Sequence, residues 1–102
     1  MIDQKYNSTD DIKLQAEENG SHFFSESTLR FFNSRIYSTV YQGPGGIYFV
    51  TSERIDTDHP RVFTVRQFQP PGNIKTVGEF QQYKRAEAAR KAAKELAEQI
   101  QE

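Results

Sequence analysis

The chain has 102 residues, the size of one domain, because two separate cores would each be too small to hold together. Its apolar share is only 35%, partly offset by eight Phe and five Tyr, since each large ring can bury about 150–250 Å². The lack of cysteine excludes disulfides, thiolate chemistry and Cys-based zinc sites, and a net charge of −1 argues against strong non-specific attraction to polyanions or membranes.

The N-terminal MIDQKYNSTDDIK has no apolar run, so neither a signal peptide nor a membrane span is expected, and the cytosol is the expected compartment. Residues 1–20 form a weakly ordered or helical segment: Thr9 caps a helix from Asp10 to about Asn19, with Gly20 as its stop. Residues 21–102 form a single α+β domain. Ser25 reads as the cap of a short helix from Glu26 to about Asn33, and Phe24 and Leu29 stand at hydrophobic-staple spacing.

Strands follow. Ile36, Ser38 and Val40 alternate with Tyr37, Thr39 and Tyr41. Gly43-Pro44-Gly45-Gly46 predicts a type II turn with Gly45 at positive φ, returning into a strand from Ile47 to Ser52. The loop 56–60 leads to a third strand from about Arg61 to Phe68. Pro70-Pro71-Gly72-Asn73 predicts a second type II-like turn, and a fourth strand runs from Ile74 to about Phe80. From Arg85 the period becomes 3.6, with Ala86, Ala89, Ala93, Leu96 and Ile100 in one stripe. The expected architecture is α+β: short N-terminal helices, a four-stranded antiparallel meander and a long C-terminal helix packed on one sheet face.

Chemistry-bearing patterns are sparse. His22 and His59 lack metal-ligand spacing, and His59 beside Asp56 and Asp58 reads as a solvated loop before a cation site. GPGG joins two strands and lacks the ending of a phosphate loop. No enzyme, cofactor or metal is expected. Charge is unevenly spread: residues 1–28 hold two lysines against six acids, and residues 29–91 hold ten Lys/Arg against five acids. Such a division marks either a binding face or an ordinary solvated surface.

Val62-Phe63-Thr64-Val65-Arg66, a turn, Ile74 to Phe80 ending in Gly-x-Phe, and the helix AEAARKAAKELA resemble the layout of AP2-type and integrase arm-type DNA-binding domains. That layout implies a sheet face entering the major groove while the helix braces its back. On this reading the DNA contacts fall to Arg35, Tyr37, Arg61, Thr64, Arg66, Lys75 and Thr76. More widely, HFFSESTLRFFNSRI (22–36), YFVTSE (48–53), RVFTVRQF (61–68) and TVGEFQQY (76–83) resemble a family of small uncharacterised proteins of phages, prophages and other mobile elements, over about residues 22–97. The resemblance implies a bacterial or phage setting, with the bacterial host cytosol as the compartment, and no catalytic residues. Two functions stay open, a DNA-binding module and an inhibitor or modulator of a host protein, with the oligomeric state undetermined.

Overall fold

The computed structural model describes residues 5–25, 34–54, 59–79 and 81–99. Helix α1 (Thr9–Glu18) is followed by strands β1 (Arg35–Ile36), β2 (Tyr41–Gly43), β3 (Gly46–Glu53), β4 (Val62–Gln69) and β5 (Asn73–Val77). Helix α2 (Ala86–Glu98) closes the order. This is an α+β fold with one antiparallel five-stranded sheet. Its order is β1-β3-β4-β5, with β2 also paired to β3.

Several expectations need correction. Thr9 is the first helical residue and Ser8 the N-cap; the Asp11 carboxylate accepts from the backbone N–H of Asn7 at 2.8 Å and of Ser8 at 3.4 Å. The single first strand is split in two. Tyr37 still donates to Val50 O, but Ser38 turns its carbonyl away to accept the backbone N–H of Thr9, so the ladder resumes only at Tyr41. That division turns four expected strands into five. In the GPGG turn the positive φ belongs to Gly46, not Gly45. The second turn is not of type II either: the Pro70–Pro71 peptide is cis and Gly72 has no positive φ. β5 stops at Val77. The expected helix from Glu26 to Asn33, with its staple, lies outside the described residues.

Why the helices lie where they do follows from the two periods. Along β3 the odd residues Ile47 and Phe49 join Phe68, Ile12, Ala16, Tyr6 and Phe24 in one cluster. The even residues Tyr48 and Val50 join Phe63, Val65, Ala89, Ala93 and Ala97 in another. β3 is therefore buried on both sides, and its seven residues from Ile47 to Glu53 are all buried. Three alanines wholly buried or nearly so let α2 lie close against the sheet while the aromatics fill the gaps. Of the predicted stripe, Ala89 and Ala93 lie in the second cluster and Ala86 and Leu96 pack against it, with Ala97 added, while Ile100 lies outside the described residues.

The GPGG turn also meets α2. Gly45 donates its N–H to Ala97 O at 2.9 Å, which satisfies a carbonyl at the open end of the helix. Only glycine fits there, since a Cβ on Gly45 would stand 1.9 Å from Leu96 O.

Candidate nucleic-acid interface

The face opposite α2 carries Thr64, Arg66 and Thr76, three of the seven residues expected to touch DNA, and among the described residues it does not stand open. β3 and β4 pair with Phe49 opposite Arg66 and Thr51 opposite Thr64, and β4 and β5 pair with Arg66 opposite Thr76. By strand alternation these side chains share the face of Phe49 and Phe68. Its apolar half is covered by α1, and its other half is a buried polar network. Thr64 and Glu53 are fully buried and Thr51 is 1% exposed.

Most polar groups there are hydrogen-bonded to one another. Thr64 donates its hydroxyl to Glu53 Oε1 at 2.6 Å and accepts the backbone N–H of Gln81 at 2.9 Å. Arg66 donates from Nε to Thr51 Oγ1 at 3.1 Å and from Nη1 to Thr76 Oγ1 at 2.7 Å. Its guanidinium lies 5.3 Å over the Phe23 ring, and its Nη2 stands 3.9 Å from Glu53 Oε2. Burial holds the Arg66 guanidinium below its ordinary pKa, and the Glu53 charge pulls the other way. Glu53 Oε2 has no hydrogen-bond partner among the described residues. The arrangement balances one buried charge against another. Thr64, Arg66 and Thr76 thus stabilise the fold, and their side chains are committed to one another.

The remaining expected contacts separate into two groups. Lys75 is exposed on β5 opposite Gln67, apart from the others. Arg35, Tyr37 and Arg61 come together on the α2 side, at the β1 edge. Arg35 pairs with Ser52 in the ladder, and Ser52 pairs with Phe63. Arg61 donates from Nη1 to the Ser52 carbonyl at 3.3 Å and to Ser52 Oγ at 3.1 Å. Tyr37 packs against Phe63 with ring centroids 6.1 Å apart.

A fourth member comes from α2. Arg90 places its guanidinium 4.7 Å over the Tyr37 ring, a cation–π contact that leaves the residue exposed. Burial first, then the like charges of Arg35 and Arg54, hold the Arg61 guanidinium below its usual pKa; Tyr37 and Glu53 oppose that shift. Cations are therefore gathered closely enough to feel each other. Sequence reading missed Arg90, Arg54 and Ser52. For Arg90 a signal existed: it stands four residues after Ala86 and three before Ala93, so it flanks the buried stripe.

An anion could bridge this group, because Arg61 and Arg90 are already oriented, one by Ser52 and the other by Tyr37. His59 is exposed, and Asp56 and Asp58 lie outside the described residues. Among the described residues no three His, Asp or Glu gather as metal ligands, and no helix is long and apolar enough to cross a membrane.

A family model described as a family of unknown function (DUF7447) matches residues 8–94, a span that takes in α1. No curated protein and no solved structure matches the chain.

Proposed function

The chain belongs to this family of unknown function, and from the geometry of its guanidinium group we propose a non-catalytic module that binds the phosphate backbone of nucleic acid. The contacts are Arg35, Arg61 and Arg90 arranged around Tyr37, on the helix-bearing side of the sheet and not on the face holding Thr64 and Arg66. The observation that carries the proposal is Arg90 seated 4.7 Å over Tyr37, together with an Arg61 whose proton affinity is lowered by burial and by Arg35 and Arg54. Like charges held together in this way are relieved by a bound polyanion. The near-zero net charge suits contact through one patch better than general attraction. The motif resemblance to small phage and prophage proteins supports a mobile-element setting and a bacterial cytosol as part of the same proposal.

Fluorescence anisotropy with short duplex and single-stranded DNA tests it. Three phosphate contacts on duplex predict a log–log salt slope of about −2.7, and no binding at about 50 µM, or binding indifferent to salt, defeats the proposal. Arg90→Ala is expected to weaken binding to every sequence alike and to make the slope less steep by about 1, with stability changed by under about 0.5 kcal/mol.

A second reading, a protein-directed modulator of a host factor, is favoured by Leu14. It is 63% exposed on α1, between exposed acids at Asp10, Glu17 and Glu18. A stoichiometric partner that is recovered from host lysate by the protein but lost with Leu14→Lys supports this second reading; recovery that is unchanged by the substitution counts against it.

A further inference from the structure

Helix α1 ends in Glu17-Glu18-Asn19-Gly20-Ser21, and the pair Asn19-Gly20 carries a chemistry of its own. The Cγ of an asparagine is an acyl carbon, on which the backbone nitrogen of the following residue can close to form a five-membered ring. Glycine in the following place sets no side chain beside the attacking nitrogen and lets the backbone turn freely. Asn7 and Asn33 precede serine and Asn73 precedes isoleucine, so Asn19 is the asparagine whose local sequence most favours the closure. Asn19 and Gly20 are both exposed, so water reaches them.

The folded backbone opposes that closure at each reacting group. The ring needs the Gly20 nitrogen and the Asn19 Cβ on the same side of the Asn19 Cα–C bond, since both belong to it. Asn19 is the C-cap of α1 with ψ of 17°, which turns the Gly20 nitrogen toward the Asn19 backbone nitrogen and away from Cβ. The Gly20 N–H, whose proton must leave, is donated to Glu17 O at 3.1 Å. The Asn19 side-chain NH2, which must also leave, is donated to Gln15 O at 2.8 Å. On the far side the Ser21 N–H is fixed on Ala16 O at 2.9 Å. The β4–β5 turn closes in as well, since a Cβ on Gly72 would stand 3.1 Å from the Asn19 Cβ. The reacting atoms are therefore held out of a near-attack geometry.

We propose that Asn19-Gly20 is a spontaneous deamidation site that the fold holds closed, so that its conversion follows opening of the α1 end, and that conversion in turn loosens that end. The Gly20 N–Cγ bond forms, the Cγ–Nδ2 bond breaks, and ammonia leaves with the proton from the Gly20 nitrogen. Water then opens the cyclic imide at either carbonyl, giving aspartate or isoaspartate at position 19. Either product loses the donor that caps Gln15 O and adds a carboxylate beside Glu17 and Glu18. The last turn of α1 has no basic residue to offset it, and a negative charge at a helix C-terminus is unfavourable. The site is separate from the arginines around Tyr37 and needs no ligand other than water.

Peptide mass spectrometry of the full chain, incubated at mildly alkaline pH with and without denaturing urea, tests this. In urea Asn19 is expected to gain one mass unit before any other asparagine. In the folded chain its conversion is expected to be slower by roughly tenfold or more, because only the open fraction reacts. Equal rates in the two conditions, no conversion at Asn19 in urea, or earlier conversion at Asn7 or Asn33 in urea overturns the proposal. Asn19→Asp reproduces one product. Amide exchange at Gly20 and Ser21 is expected to be about fivefold faster in this variant than in the parent, and unchanged exchange at both overturns the coupling to α1.

Discussion

The two faces of the sheet are covered by different means. On the α2 side the cover is chemically uniform: Ala89, Ala93 and Ala97 lie against Tyr48, Val50, Phe63 and Val65, and the charged residues sit at the rim. On the α1 side the cover changes halfway along. Ile47, Phe49 and Phe68 meet α1, and then Thr51, Glu53, Thr64 and Arg66 continue the same face as a polar, charged layer. The contrast shows that exposure, not residue type, separates structural from candidate binding arginines. Arg66 has its fork committed to Thr51 and Thr76, while Arg90 rests on a ring and stays exposed.

The strongest way to break this contrast is to remove one member of the buried pair. Arg66→Met leaves Glu53 without its cation and is expected to cost about 3–5 kcal/mol, whereas Arg66→Met with Glu53→Leu recovers most of that loss. Urea unfolding of the two variants and the parent measures it. Equal stability of the single and double variants would show that the two charges are not coupled.

The α2 side should respond to crowding instead. Gly45→Ala drives a methyl into the Leu96 carbonyl and is expected to cost about 1–3 kcal/mol, read as a lower midpoint with an unchanged unfolding slope. A cost below that range would mean that the end of α2 shifts freely and that its grip on the turn is weak.

A smaller effect separates the faces by pH. Tyr48 donates its hydroxyl to Gly45 O at 2.8 Å, and burial raises its pKa. Tyr6 is raised for the same reason, with its bond to Gln15 opposing the shift. A phenol raised in the folded state contributes stability that is complete below its unfolded pKa of about 10 and is lost as pH climbs through the folded value. Stability should therefore fall above about pH 10. Tyr48→Phe is expected to cost about 1 kcal/mol at neutral pH and to make the alkaline loss smaller; an identical alkaline profile would assign that loss to Tyr6.

How far these contrasts were legible depended on the range of each interaction. The alanine stripe from Ala86 to Leu96 is a local pattern with a single good burial, so helix α2 and its docking followed from spacing. The two turns were placed well, but their dihedrals were not, because Gly46 and the Pro70–Pro71 peptide respond to the strands they join. Of the seven expected DNA contacts, Arg35, Tyr37 and Arg61 lie together and Thr64, Arg66 and Thr76 lie together elsewhere. Nothing in the strand pattern separates them, since Thr64 and Arg66 occupy positions that an open sheet face would also fill with polar residues.

Local sequence therefore determined the element types: the period-2 strands, the punctuation by Gly and Pro, and one strongly amphipathic helix. Tertiary structure alone decided which polar residues are buried. Burial of Glu53 and Arg66 requires partners from β3, β4 and β5 at once, and the Arg90–Tyr37 contact requires α2 to lie across the β1 edge. A charge becomes a strut or a candidate contact according to what other elements bring within about 4 Å of it, and chain-local spacing carries no record of that distance.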